Sequence, residues 1–103
     1  MNGIPSQFML AGRTVQVKQR DDLYGEYEEY GQWLSDKGTI LLQRSLAALP
    51  ISADRLEENF WHEAVHGILE AAGYATLSED EKLVSLVAGF VHQLLKTARF
   101  EDV

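Results

Sequence analysis

Between Pro50 and Ser52 the chain passes from strand-like to helical patterning, and this boundary constrains its fold more than any other feature. Proline cannot continue a ladder or sit inside a helix, while Ser52 offers a hydroxyl to cap the free N–H groups of a following first turn. Asp54 then places negative charge where the helix dipole favours it. From Phe60, the apolar residues Phe60, Trp61, Ala64, Val65, Ile68, Leu69 and Ala72 recur at about 100° per residue, so the spacing predicts a helix over 52–72. Gly73 supplies the left-handed residue that closes it. His62 and His66 fall on one edge of the apolar face, with Glu63 turned towards the polar side. A second run, Leu83, Val84, Leu86, Val87, Phe90, Val91, Leu94 and Leu95, predicts a final helix over 79–98, opened at Ser78 and closed by Lys96 and Arg99.

Upstream of the boundary the pattern is different. Residues 1–12 hold Gly3 and Pro5 and read as an irregular lead-in. Val15 and Val17 alternate in Thr14–Lys18, a run that suits a half-buried strand. Gly25 and Gly31 bracket YGEYEEYG, GQWLSD follows, and Thr39–Gln43 forms a short apolar run after Gly38. Residues 13–44 therefore predict a small, three-stranded, mostly antiparallel sheet. Together with two packed helices this is an α+β chain of 103 residues, the size of one domain. The net charge of −7 argues against a phosphate backbone as partner. No apolar run is long enough to span a bilayer, no secretory signal opens the chain, and cysteine is absent, so the expectation is a cytoplasmic protein without thiolate metal sites.

His62-Glu63-Ala64-Val65-His66 is a His-Glu-x-x-His run. Residues four apart are neighbours on a helix, so both imidazoles can face one tetrahedral Zn2+ with bonds of ~2.0–2.1 Å. Glu63, one position on, lies beside such a site without ligating. There it can take a proton from water whose pKa the metal lowers to about 7. Catalytic zinc needs a third protein ligand. A further histidine on the same helix is excluded, because Leu69 and Ala72 stand where the metzincin pattern requires Gly and His. The next helix offers Glu79, Asp80 and Glu81. Glu81 is the choice and Glu79 the alternative; Glu70 would crowd three ligands onto one straight helix. Ser78 and Glu81 also match a capping box, a purely structural use of the same residues.

His92 follows Glu81 by eleven residues, roughly 16 Å along a helix axis, and so has a structural or second-site role. Ser85, Ala88, Gly89 and His92 form a strip that leaves room for close helix packing. Tyr24, Tyr27 and Tyr30 are possible oxyanion donors, and Glu26 to Glu29 read as a solvated strand or loop face.

Over residues 12–97 the chain resembles small, single-domain zincin-like proteins of phage and mobile elements, related to the ImmA/IrrE-type metallopeptidases. The likeness rests on HEAVH within HEAVHGILEAAGYATLSEDEKLVSLVAGFVHQLL, on TVQV, YGEY and GTILL, and on Phe60 and Trp61 before the motif. It implies a zinc peptidase core with a His, His, Glu ligand set, the Glu falling on Glu81. The family's Glu-x-Glu-Ala-Asn run stands here as Glu81-Lys82-Leu83-Val84-Ser85. Two functions follow: a zinc metallopeptidase acting on a protein or peptide, or a non-catalytic zinc-stabilised protein that binds a host or phage protein.

Overall fold

The computed structural model describes residues 3–101, so Met1, Asn2, Asp102 and Val103, which the sequence places in the lead-in and at the chain end, lie outside the described residues. The class is α+β. Strands β1 (Gln7–Leu10), β2 (Arg13–Arg20), β3 (Gly31–Leu34) and β4 (Thr39–Gln43) form one sheet in the order β1-β2-β4-β3. A short helix, α1 (Leu23–Tyr27), lies between β2 and β3, and a ribbon of β5 (Ser45–Leu46) and β6 (Leu49–Pro50) follows β4. Helices α2 (Ala53–Ala71), α3 (Ala75–Ser78) and α4 (Glu81–Thr97) complete the chain.

The expected three-stranded sheet is thus corrected in two respects. Part of the lead-in is a fourth strand: β1 pairs antiparallel with β2 through a tight turn at Ala11-Gly12, both at positive φ. The centre of the sheet is also mixed, because β2 runs parallel to β4 while β3 pairs antiparallel with β4. A parallel pair needs a long crossover, and residues 21–38 supply it by building α1 and the outer strand β3 on the way. The segment read as strand or solvated loop around Tyr24 and Glu26 is helical because buried Gln43 accepts from the Tyr24 N–H and donates to the Asp21 carbonyl.

β4 is buried along its whole length, as befits a central strand. Ile40 and Leu42 meet Val15, Phe60 and Ala64 in the main core, flanked by Phe8, Leu10, Trp33 and Trp61. Burying a Phe60-sized side chain contributes about 1.5–3 kcal/mol, so this one cluster is a large share of the stability of so small a chain. Gly67 lets α2 lie close on the sheet, since a Cβ there would stand 3.3 Å from Leu10 and Trp33. On its other side α2 packs against α4 through Val65, Val84 and Ala88.

The caps fall close to expectation at α2 and differ at α4. Ser52 accepts from the Arg55 N–H. Gly73 has φ +87°, and its N–H and that of Tyr74 bond back to the carbonyls of Glu70 and Leu69, the double closure of a Schellman motif. At α4 the cap is Asp80, which accepts from the Leu83 N–H. Ser78 instead ends α3, so the capping box with Glu81 does not form. The apolar faces also differ from the sequence reading: Ile68, Leu86, Val87, Phe90 and Leu94 are exposed, while Val84, Ala88 and His92 face inward. None of the described helices is long and apolar enough to cross a membrane.

Candidate metal centre

Four parts of the chain converge beside β3: the middle of α2, the end of α3, the first turn of α4 and the outer edge of the sheet. His62 and His66 are successive ridges on α2, their ring centroids 5.0 Å apart and the rings inclined at 73°. Glu81 reaches across from α4 and spans both, with Oε2 2.9 Å from His62 Nε2 and Oε1 3.2 Å from His66 Nε2. Donor atoms of the three residues all lie within 4.8 Å of one another.

The far side of each ring is also held. Ser78 Oγ donates to the His66 backbone carbonyl at 3.2 Å and stands 3.1 Å from His66 Nδ1. A hydroxyl has one hydrogen; with it committed to the carbonyl, Oγ accepts from Nδ1–H. In the neutral ring Nε2 then carries the lone pair, and it points at a carboxylate oxygen. Two acceptors at that distance repel unless a proton or a shared cation lies between them. Ser85 Oγ sits 3.3 Å from His62 Nδ1 and holds the second ring from its outer side. A polar partner on the outer nitrogen is the arrangement by which proteins aim imidazoles at a metal.

Bonds of ~2.0–2.1 Å make the edge between two tetrahedral ligands about 3.3 Å, and donor atoms of the three residues lie close enough together for a small shift of the Glu81 carboxylate to place one oxygen beside both rings. Two imidazoles and one carboxylate are a borderline-hard donor set suited to Zn2+, and three protein ligands leave one position open.

Glu63 departs from its expected place on the polar side. It is buried to 8% exposure, because β3 lies over it: a Cβ on Gly31 would stand 3.0 Å from Glu63 Cγ and 3.1 Å from Oε2. The carboxyl makes no side-chain hydrogen bond among the described residues. Burial pushes its pKa up to about 8, and the charges of Glu81 and Glu29 push in the same direction. It opens into a cleft of about 380 Å³ shared with Glu29, Tyr30, Gly31, Asn59, His62, His66 and Glu81.

Of the remaining expected residues, Glu79 is outside the triad and lines an adjoining groove with Glu70. Glu70 accepts from Trp33 Nε1 at 2.8 Å. Tyr30 borders the cleft, Tyr24 packs on it, and Tyr27 lines a hollow on the opposite sheet face. His92 sits apart and buried, with Nε2 3.4 Å from Glu57 Oε1. Sequence reasoning missed Ser78 as an orienting residue, having assigned it to a cap. It missed Ser85 too, although Ser85 follows Glu81 by one helical turn and so shares its face. Gly31 gave no signal beyond a turn.

Comparison of the chain with protein-family models, curated proteins and solved structures finds no match.

Proposed function

We propose that this chain is a zinc-dependent metallopeptidase of the zincin type, akin to the phage and mobile-element proteins it resembles and acting in the cytoplasm. His62, His66 and Glu81 would hold the ion. When bound, zinc supplies a Lewis acid that polarises the scissile carbonyl, acidifies water to a pKa of about 7 and lowers the pKa of nearby carboxyls. Glu63 takes the proton of the attacking water and returns it to the departing amine. Gly31 keeps that carboxylate close to the sheet edge, and Ser78 and Ser85 keep both rings aimed.

The substrate meets an open strand. The Gln43 N–H bonds to the Tyr30 carbonyl, and in an antiparallel pair alternate residues face the neighbour. Gly31 and Trp33 therefore present their backbone groups outward, beside the histidines, where an extended polypeptide can add as a further strand.

One observation carries this reading: both Nε2 atoms converge on the two oxygens of a single carboxylate from another helix. The non-catalytic alternative draws on the exposed row of Leu86, Phe90 and Leu94 along α4. Three ligands around a centre that opens on a cleft favour the peptidase, since a structural zinc is usually closed by four. The separating experiment is Glu63→Gln with zinc content and cleavage of an unfolded protein measured together. The peptidase reading expects full zinc with cleavage reduced about 10²–10⁴-fold. Undiminished cleavage by the variant would refute it.

A further inference from the structure

The walls of the cleft and of the groove that continues it along β3 carry one sign of charge. Glu29, Glu63 and Glu81 line the cleft, and Glu70 and Glu79 extend the acidic wall past Trp33 and Leu34. No lysine or arginine lines either hollow among the described residues. Three cations, Lys18, Arg20 and Lys37, border a hollow on the other face of the sheet, while Arg55 stacks over Tyr30 at the rim of the cleft and Arg13 shares a separate hollow with Glu70. Apart from Glu63 and Glu81, the carboxylates of Glu29, Glu70 and Glu79 keep the walls of the channel negative. Low-dielectric walls focus such a field onto whatever enters.

Two further features point to an occupant. Glu63 is more than nine-tenths buried, unpartnered and aimed into the cleft. The outward backbone groups of Gly31 and Trp33 run along the same channel and call for an extended chain. We infer that the site takes an extended polypeptide segment rich in lysine and arginine, paired along β3, with its cations placed against Glu29, Glu70 and Glu79. This rests on the peptidase reading for the chemistry, but the selectivity belongs to the channel. Cations on alternate residues of the bound strand face the same side and can meet the Glu29 and Glu79 walls while the backbone holds the edge.

The test uses zinc-loaded protein and two unstructured peptides of equal length and hydropathy, one bearing Lys and Arg and the other Asp and Glu. Binding is read on Glu63→Gln and cleavage on the wild type, at low and high salt. The basic peptide should bind about tenfold or more tightly at low salt, with the preference shrinking as salt rises. The double variant Glu29→Lys, Glu79→Lys should erase most of the preference while keeping its zinc content and melting temperature. Selective binding without cleavage supports the basic-segment inference and overturns the peptidase reading. Cleavage without charge preference, equal binding of both peptides, binding of neither, or a preference for the acidic one overturns the inference.

Discussion

Glu63 carries the sharpest conflict between stability and function at the residue scale. A carboxylate placed under β3, beside Glu81 and Glu29, is costly to ionise, and its pKa rises from 4.5 to about 8. In the metal-free protein the sign follows directly. Below about 4.5 the group is neutral in both states and costs nothing. Between 4.5 and about 8 the unfolded chain releases a proton that the folded chain retains, so stability falls as pH rises. Thermal melts of the metal-free protein should therefore show a decline over this window that Glu63→Gln flattens; equal slopes for both proteins would show that Glu63 is not confined as described. That single side chain is both the least comfortable group in α2 and the one placed to move a proton fits the general pattern of strained sites.

The connection between α2 and α4 is the decisive feature among the elements. Gly73, at positive φ, turns the chain sharply, and the single turn of α3 delivers Ser78 beneath His66. Asp80 then starts α4 so that Glu81 is its first residue and Ser85 lies one turn on. The support given by Ser78 has a measurable consequence: Ser78→Ala should weaken zinc binding about 10–100-fold, the usual effect of removing such a partner. Calorimetric titration checks it, and an unchanged affinity would show that His66 needs no help. The pair His62, His66 and the carboxylate of Glu81 were legible because helical spacing alone places two of them, and a short connection returns the third. Ser78 was not, because Ser-x-x-Glu reads equally as a cap, and only the intervening α3 decides. The strand β1 was hidden by its turn: Ala11-Gly12 adopts positive φ without the Asn-Gly signature that marks such hairpins. Ala47-Ala48 concealed the β5–β6 ribbon in the same way. The parallel pairing of β2 with β4 left no trace in the sequence, since alternation of Val15 and Val17 looks alike in either direction.

Across the whole molecule, the site exists only where distant segments meet. β3 comes from the first third of the chain, the histidines from the middle and Glu81 from the last quarter. Glu57, 2% exposed, ties the same parts together away from the cleft by accepting from the Gly3 N–H and from Lys96 Nζ, with His92 alongside. The Lys96 ammonium and the Gly3 N–H both meet Oε2 and offset the cost of burying that carboxylate, which joins the N-terminal segment to both long helices. Acids line the cleft, and a group of three cations, Lys18, Arg20 and Lys37, lies across the sheet from it. A metal shared by α2 and α4 would add a second bond between them, stabilising the fold in proportion to its binding free energy.

The measurement that bears most directly on this account is the zinc content of tag-free protein, purified without chelators and dialysed against trace zinc. One ion per chain is expected for the wild type, with loss in both His62→Ala and Glu81→Gln while circular dichroism stays that of the folded chain. A wild type that takes up no zinc, or variants that keep a full equivalent, would contradict it.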